Sequence, residues 1–569
     1  MPRNIRFSGG PTTANREPQK YDDPARLTQK QSLIRTEKHL KLLLPIKPNW
    51  IGGGPVAVFL TVAAMLLAFT GCTSLPQDVD RPASYAYTNT ADTRVGRARR
   101  DEIRKHRDES GFLLLGNGLD AFVVRAVLAN AADRSIDAQY YLLHGDLTGK
   151  LFVDQLIKAA DRGVRVRLLV DDMDLGGRTL GAAVFDSHPN IEVRLFNPFS
   201  RGSSRIAQLV TRFGSVTRRM HNKSFTVDNQ AAIVGGRNIG DEYFGADPDL
   251  AFTDIDVLVI GPVVAEVSES FDSYWNSELA YPATALLGRE PTRDEVRDRR
   301  DALDAFIAGQ SESAYQRALR DSDLANELRQ QKVRFEWGQA HVVQDEPEKI
   351  LAERSETQYH MAPQLRPYFR DVKDELYIFS PYFVPGKEGT DFLSDLARRG
   401  VRVRVVTNSL SSTDVPVVHS GYAKYRKDLL RAGVELYEMK SRPGAAKKHW
   451  QPGRSGSSQA SLHSKAFIFD GEHIFIGSLN LDPRSIHENT EIGVVLTSPE
   501  LAGRIGPEID DAVDRIAFRL ELKTDRNGRE RIVWREPEKG GIYSVDPDTG
   551  LWERFWVGLV GLIPLESQL

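Results

Sequence analysis

Apolar and polar positions change period along the chain in an order that occurs twice. Ile136 to Leu143 reads as a strand, Leu151 to Ala160 as a helix, and Ile191-Glu192-Val193-Arg194-Leu195-Phe196 as a strand again. The succession returns as strand Leu376 to Val384, helix Phe392 to Ala397 and strand Val434-Glu435-Leu436-Tyr437. Between helix and second strand, Arg162-Gly163-Val164-Arg165-Val166-Arg167 recurs letter for letter at Arg399 to Arg404, 237 residues on. Self-similarity of this kind marks a duplicated architecture. Strand–helix–strand units predict parallel strands covered by helices. The expected fold is therefore α/β, two duplicated halves with mixed, mostly parallel sheets.

The halves are expected at 110–285 and 335–520, joined by 286–334, an Arg-, Asp- and Glu-rich stretch that predicts a charged helical connector. Residues 73–109 read as a linker, and 521–569 as a C-terminal extension. In that extension Trp552, Phe555, Trp556, Val557, Leu559, Val560, Leu562 and Ile563 fit either a buried terminal helix or one lying in a membrane interface. Residues 56–69 are an uncharged apolar run, short for a bilayer span but of signal-peptide length. Phe69-Thr70-Gly71-Cys72 follows and resembles the lipobox of bacterial lipoproteins, whose cysteine is lipidated. This sets 1–72 apart as an N-terminal extension with a lipoprotein-type signal, makes Cys72 the candidate lipidation site, and implies a membrane-associated protein of the bacterial cell envelope.

Composition adds exclusions. With 569 residues, 41% of them hydrophobic, the chain has ample material for buried cores and is not a mostly disordered polymer. Its 75 basic and 78 acidic residues make no global field of the kind that binds nucleic acid, so any anion site is local. One cysteine supports neither a disulfide framework nor a cysteine-based zinc site.

The chemistry lies in the repeat's third element. His221-Asn222-Lys223, Asp228 and Gly235-Gly236-Arg237-Asn238 share their spacing with His463-Ser464-Lys465, Asp470 and Gly477-Ser478-Leu479-Asn480, so both obey HxKx4Dx6G[GS]xN. A strand's period of two puts His221 and Lys223 on one face, and His463 and Lys465 likewise. If the halves pack about a pseudo-twofold axis, two imidazoles, two ammonium groups and the carboxamides of Asn238 and Asn480 surround one pocket. That set suits a phosphodiester: cations and amide donors hold the phosphate oxygens, one neutral histidine attacks phosphorus, and the other, protonated, serves the leaving oxygen. Fixed cations stand where other phosphoryl-transfer sites use metal, so neither metal nor cofactor is required.

These paired motifs resemble those of the phospholipase D superfamily. Asp137-Ala138-Gln139-Tyr140-Tyr141, Arg194 to Phe199, Ser380-Pro381-Tyr382-Phe383-Val384-Pro385, Thr407-Asn408-Ser409-Leu410, Val417-Val418-His419-Ser420-Gly421-Tyr422 and Gly433 to Glu438 narrow the likeness to the third bacterial type of cardiolipin synthase, type C, over roughly residues 110–569. The resemblance implies transfer of a phosphatidyl group onto phosphatidylglycerol, with phosphatidylethanolamine as donor. It implies His221 as nucleophile, His463 as acid then base, and an acidic residue 25–35 positions downstream holding each imidazole. Asp254 and Glu491 stand 33 and 28 residues after their histidines. Lys223 and Lys465 belong to the same catalytic set; Asp228 and Asp470 are carried with it but resemble residues of more structural part. The partners implied are anionic and zwitterionic phospholipids at a membrane surface, with no nucleic acid, and one chain carrying both motifs can act as a monomer. Water capturing the same intermediate gives a phospholipase D; a nuclease on the same motifs is the more distant alternative.

Two acid-free basic stretches lead into the histidines: Arg201, Arg205, Arg212, Arg218 and Arg219, then Lys440, Arg442, Lys447, Lys448 and Arg454. They predict a cationic rim that gathers headgroups, with Arg218 and Arg219 nearest. His419 and Tyr422 are further candidate headgroup contacts. Asp171-Asp172-Met173-Asp174 follows a strand and reads as lining or capping the pocket rather than binding metal.

Overall fold

The computed structural model describes residues 75–561 apart from 176–177, 202–204, 206–207, 209–213, 215, 248–249 and 442–459. The apolar run at 56–69, Cys72, Arg212, Arg442, Lys447, Lys448, Arg454, Leu562 and Ile563 lie outside the described residues.

Strands of the first half are β1 (Ser110–Leu115), β2 (Ser135–Tyr140), β3 (Arg165–Asp171), β4 (Ile191–Phe196), β5 (Ser224–Val227), β6 (Ala231–Gly235), β7 (Phe252–Thr253), β8 (Asp256–Ile260) and β9 (Ala280–Pro282). The second half has β10 (Glu336–Gln344), β11 (Glu375–Phe379), β12 (Arg402–Asn408), β13 (Glu435–Met439), β14 (Ser461–Leu462), β15 (Ala466–Phe469), β16 (His473–Gly477), β17 (Ile492–Thr497) and β18 (Ala517–Thr524), extended by β19 (Glu530–Arg535) and β20 (Ile542–Tyr543). Hydrogen bonding runs β9-β4-β3-β2-β5-β6-β8-β1 in one half and β18-β13-β12-β11-β15-β16-β17-β10 in the other, the same pattern twice. β1 and β10 pair antiparallel and join the two sheets, as a twofold-related duplication requires. The sheets are mixed, but parallel pairing within each half is confined to β2-β3-β4 and β11-β12-β13, so they are less parallel than expected. The strands after each HxK enter tight hairpins, at Asp228 to Gln230 and Asp470 to Glu472, and a hairpin returns antiparallel.

Why the repeat keeps its arginines is visible in the packing. Arg167 is almost fully buried and pairs with Asp137 at 2.6 Å and Asp272 at 2.7 Å. Its counterpart Arg404 is buried between Glu435 and Asp510. Asp272 and Asp510 belong to helices Val263–Trp275 and Pro499–Ile516, so each ion pair pins a late helix of its half to the parallel strands. Each half has its own apolar core, one around Ile136, Val166 and Phe225, the other around Leu376, Val403 and Phe467. A third core joins Val234, Val257 and Val259 of the first half to Ile468, Ile476 and Val494 of the second. Those residues sit on β6, β8, β15, β16 and β17, the strands that carry the motifs, so burial between the halves sets the motifs against each other.

Among the described residues no helix is long and apolar enough to cross a membrane.

Candidate active site

The two HxK segments are tied across the halves before any side chain is considered. His221 donates its backbone N–H to Thr490 O at 2.8 Å, and Thr490 donates to Arg219 O at 2.9 Å. The related strand pair is β14 on β7, with His463 N donating to Thr253 O at 2.8 Å. Each histidine is therefore laid beside the other half's segment, one residue short of its acid.

The side chains follow. Nδ1 of His221 meets Glu491 Oε2 at 2.8 Å, and Nδ1 of His463 meets Asp254 Oδ2 at 2.6 Å. The expected partnership of each histidine with the acid downstream in its own half is corrected: the carboxylates are exchanged. The cause is the cross-half strand pairing just described, which a spacing of 33 or 28 residues cannot reveal. A carboxylate on Nδ1–H fixes the tautomer and leaves Nε2 facing the pocket. Tyr141 packs its ring edge-on to His221 at 5.1 Å, while Tyr243 and Phe252 enclose His463 at 5.2 and 4.8 Å. None of these three aromatic contacts was singled out from sequence; Tyr141 carried a signal inside the Asp137–Tyr141 motif, and Phe252 lies two residues before Asp254.

The small residues of G[GS]xN have a steric reason. A Cβ on Gly236 would lie 2.3 Å from Asp254 Oδ1, so only glycine admits that carboxylate beneath His463. Gly477 faces Ile492 O, which a Cβ would approach to 2.4 Å. Asp345 supports the second acid, accepting from Glu491 N at 2.8 Å while paired with Lys349 at 2.9 Å.

Lys223 donates to His221 O at 2.5 Å, and Lys465 donates to His463 O and stands 2.9 Å from His463 Nδ1. All four HxK side chains are largely buried, with Lys465 fully enclosed and His221 at 9% exposure. Burial pushes Lys223 down to about 7 and Lys465 to about 8, and raises Glu491 to about 7. It also drives both imidazoles well below their usual value, helped by the neighbouring lysine charges. The buried cluster thus resists its own cationic load, and an anionic phosphodiester would relieve it. Asn238 is buried, accepting from Leu142 N and donating to Tyr243 Oη at 2.8 Å; Asn480 holds the related place, donating to Ser485 Oγ at 3.4 Å.

Asp228 and Asp470 stand apart from the chemistry. Asp228 accepts from Asp133 N, Arg134 N and Ser135 N, and Asp470 from Lys373 N, Asp374 N and Glu375 N, each from a left-handed backbone with φ of 52°. Their inclusion among catalytic residues is corrected: they clamp the hairpin after the HxK strand to the start of β2 or β11. Asp228→Ala strands three amide donors, and stability should fall by about 3 kcal/mol or more in denaturant titration; a loss under 1 kcal/mol would refute the clamp.

Arg219 is fully buried, with Asp171 2.5 Å from Nη2 and 2.8 Å from Nε, and Asp171 also accepts from Met220 N. Arg218 pairs with Glu488 at 2.7 Å and donates to the carbonyls of Ile350 and Ala352. These two arginines therefore brace the approach to His221 rather than meeting headgroups. Arg201 pairs with Asp172 at 2.6 Å, so the rim is also less cationic than its sequence suggested. Asp171 and Asp172 act as anchors for these arginines. His419 and Tyr422, the other headgroup candidates, are buried in a cluster with Arg426, Asp546 and Phe383, with His419 Nε2 3.2 Å from Arg426. Packing, not solvent access, explains both. Among the described residues, His144, Asp146 and Glu242 each offer a ligand-type atom within 4.8 Å of the others, but Asp146 already caps helix Leu147–Asp161.

A family model described as "Cardiolipin synthase, PLD-like domain" matches residues 124–275 and 365–511, one HxK motif in each. Over 466 residues the chain is 40% identical to cardiolipin synthase C of Escherichia coli K12, covering 82% of this chain and 97% of that protein. An uncharacterized protein of Helicobacter pylori 26695 is 30% identical over 505 residues, covering 87% and 96%. Among solved structures, phosphatidylserine synthase of Haemophilus influenzae Rd KW20 aligns with a TM-score of 0.48 at 14% identity, covering 75% of this chain and 92% of that one.

Proposed function

The chain belongs to the family of phospholipase D-like cardiolipin synthases, and from that membership we propose that it is a phosphatidyltransferase making cardiolipin from phosphatidylglycerol and phosphatidylethanolamine. The observation that carries this reading is the pair of imidazoles, each held at Nδ1 by the other half's carboxylate and each beside a buried lysine. His221 Nε2 attacks the donor phosphorus. The bond from phosphorus to the headgroup oxygen breaks, and His463 gives its proton to that oxygen. The phosphatidyl group is then on His221. Next, His463 takes the proton from a glycerol hydroxyl of phosphatidylglycerol, the freed oxygen attacks phosphorus, and His221 leaves. Lys223 and Lys465, with the amide hydrogens of Asn238 and Asn480, hold the non-bridging oxygens as charge develops. Both motifs lie in one chain, so a monomer carries the full proposed set of catalytic residues.

The test is to incubate purified protein with phosphatidylglycerol, with and without phosphatidylethanolamine, and follow products by mass. Cardiolipin formation, with ethanolamine release when phosphatidylethanolamine is present, supports the proposal. Phosphatidic acid alone would replace it with hydrolysis, and no lipid product would end it.

Two features support action at a membrane. Helix Leu551–Val560 leaves Leu551 81% and Trp552 73% exposed, and Phe555, Trp556 and Leu559 are also exposed. Exposed tryptophan and phenylalanine beside leucine suit the headgroup–acyl boundary. Replacing Trp552 and Phe555 together by serine should weaken co-sedimentation with phosphatidylglycerol–phosphatidylethanolamine vesicles about tenfold without unfolding the protein; unchanged sedimentation would count against this face. Cys72 is the second feature, as the proposed lipidated residue, which the mass of the processed N-terminus would test.

A further inference from the structure

Near Lys465 and Tyr382 stands a carboxylate that the transfer chemistry does not use. Asp414 follows β12 and is only partly enclosed, unlike Asp254 and Glu491. Tyr382 Oη donates to its Oδ2 at 2.7 Å. Both ends of this pair are anchored beside the catalytic residues. On one side, Asn408 joins both backbone groups of Leu462, the neighbour of His463, at 2.8 and 2.9 Å, and Ser412 bonds back to Asn408. On the other, Ser380 ties Tyr382 O to Leu481 N, the neighbour of Asn480. Lys465 and Tyr243 are its electrostatic neighbours, and Tyr243 packs on His463. The pair therefore lies on the His463 side, where the headgroup oxygen departs.

Two observations and one physical argument separate Asp414 from structural acids. Among the described residues no lysine, arginine or histidine forms an ion pair with it, whereas buried Asp137, Asp171 and Asp256 each have an arginine, and it does not collect three backbone amides as the clamps Asp228 and Asp470 do. The duplication does not contain it: on the register of the repeated Arg-Gly-Val-Arg-Val-Arg and of β2 with β11, Asp414 and Tyr382 align with Gly177 and Leu142. A carboxylate near a phosphate also raises the cost of binding that anion unless the ligand brings a positive charge of its own. A phospholipid whose headgroup carries a cation two carbons beyond the phosphate oxygen supplies that charge at the right end.

We propose that Asp414, positioned by Tyr382, is the subsite for the primary ammonium of an aminoalcohol headgroup on the donor phospholipid. This rests on the phosphatidyl-transfer reading and makes donor choice the property of one half only. The ammonium meets the carboxylate while the phosphorus lies between the imidazoles, so the headgroup oxygen is delivered to His463. The neutral glycerol headgroup of a phosphatidylglycerol donor gains much less from the same contact.

Headgroup release from single-lipid mixed micelles tests this, with ethanolamine from phosphatidylethanolamine measured against glycerol from phosphatidylglycerol. Asp414→Asn should lower kcat/KM for ethanolamine release about 30-fold and for glycerol release less than about threefold, the effect of losing one charged hydrogen bond. Tyr382→Phe should show the same preference more weakly, and gives a second readout if Asp414→Asn folds poorly. N-acetylphosphatidylethanolamine, which lacks the cation, should lose its disadvantage in Asp414→Asn. Equal losses on both donors, or no loss on phosphatidylethanolamine, would overturn the subsite while leaving phosphatidyl transfer intact. Wild-type protein releasing neither headgroup would remove both.

Discussion

On the proposed mechanism, alanine at His221 should abolish phosphatidyl transfer, lowering kcat by about 10⁴-fold or more, because His463, the other imidazole of the site, is committed to proton transfer. Alanine at His463 should stop turnover of natural phospholipids to a similar degree, but for a different reason. The attack step remains possible where the leaving group needs no proton. A phosphatidyl-type diester of p-nitrophenol should therefore still release about one equivalent of nitrophenolate from His463→Ala, and the trapped adduct should be acid-labile and map to residue 221. His221→Ala should give no burst with the same ester. A burst from His221→Ala, or an adduct on residue 463, would reverse the two roles. A His463→Ala enzyme keeping more than about a hundredth of its transfer rate would show that the second imidazole is not the proton carrier.

Much of this site was legible from residue spacing, and what was not has identifiable physical reasons. Six matched positions in HxKx4Dx6G[GS]xN, found twice, singled out the two histidine–lysine pairs, and each lysine does donate to its histidine's carbonyl, but the HxK segments precede β5 and β15 instead of lying within strands, so the expected strand period is not what pairs them. The spacing between a histidine and an acid says nothing about which half of a twofold-related pair the acid docks against, so the exchange of Asp254 and Glu491 was invisible. Net local charge misled for a related reason. Arg218 and Arg219 read as free cations because their partners, Glu488 and Asp171, are 270 and 48 residues away in sequence. Parallel pairing was overestimated because the strand–helix–strand units were legible, while the hairpins that add β5–β6 and β15–β16 carry only the short signals Asp228-Asn229 and Asp470-Gly471. The terminal aromatic segment had the right period for a helix, but periodicity alone does not distinguish a face turned to the core from one turned to solvent or lipid. Asp414 and Tyr382 break the repeat, so a search built on the repeat passes over them.

The exchanged carboxylates make the strongest separation of function. Asp254→Asn and Glu491→Gln should each reduce kcat by about 10²- to 10⁴-fold, since an amide no longer stabilises an imidazolium or secures the Nδ1–H tautomer. Which step fails should follow space rather than sequence. Glu491→Gln, although in the second half, should impair nucleophilic attack by His221 and so suppress the nitrophenolate burst. Asp254→Asn, although in the first half, should spare much of that burst and instead block the proton transfers through His463. Added to His463→Ala, Asp254→Asn should cost little more, because its partner imidazole is already gone; Glu491→Gln added to the same background should remove the remaining burst. The opposite assignment, with Asp254 controlling attack and Glu491 controlling proton transfer, is the outcome expected if each half served its own histidine. That result would break the link from crossed strand pairing to crossed chemistry, since Thr253 and Thr490 would then bring the acids alongside without governing the imidazoles they touch.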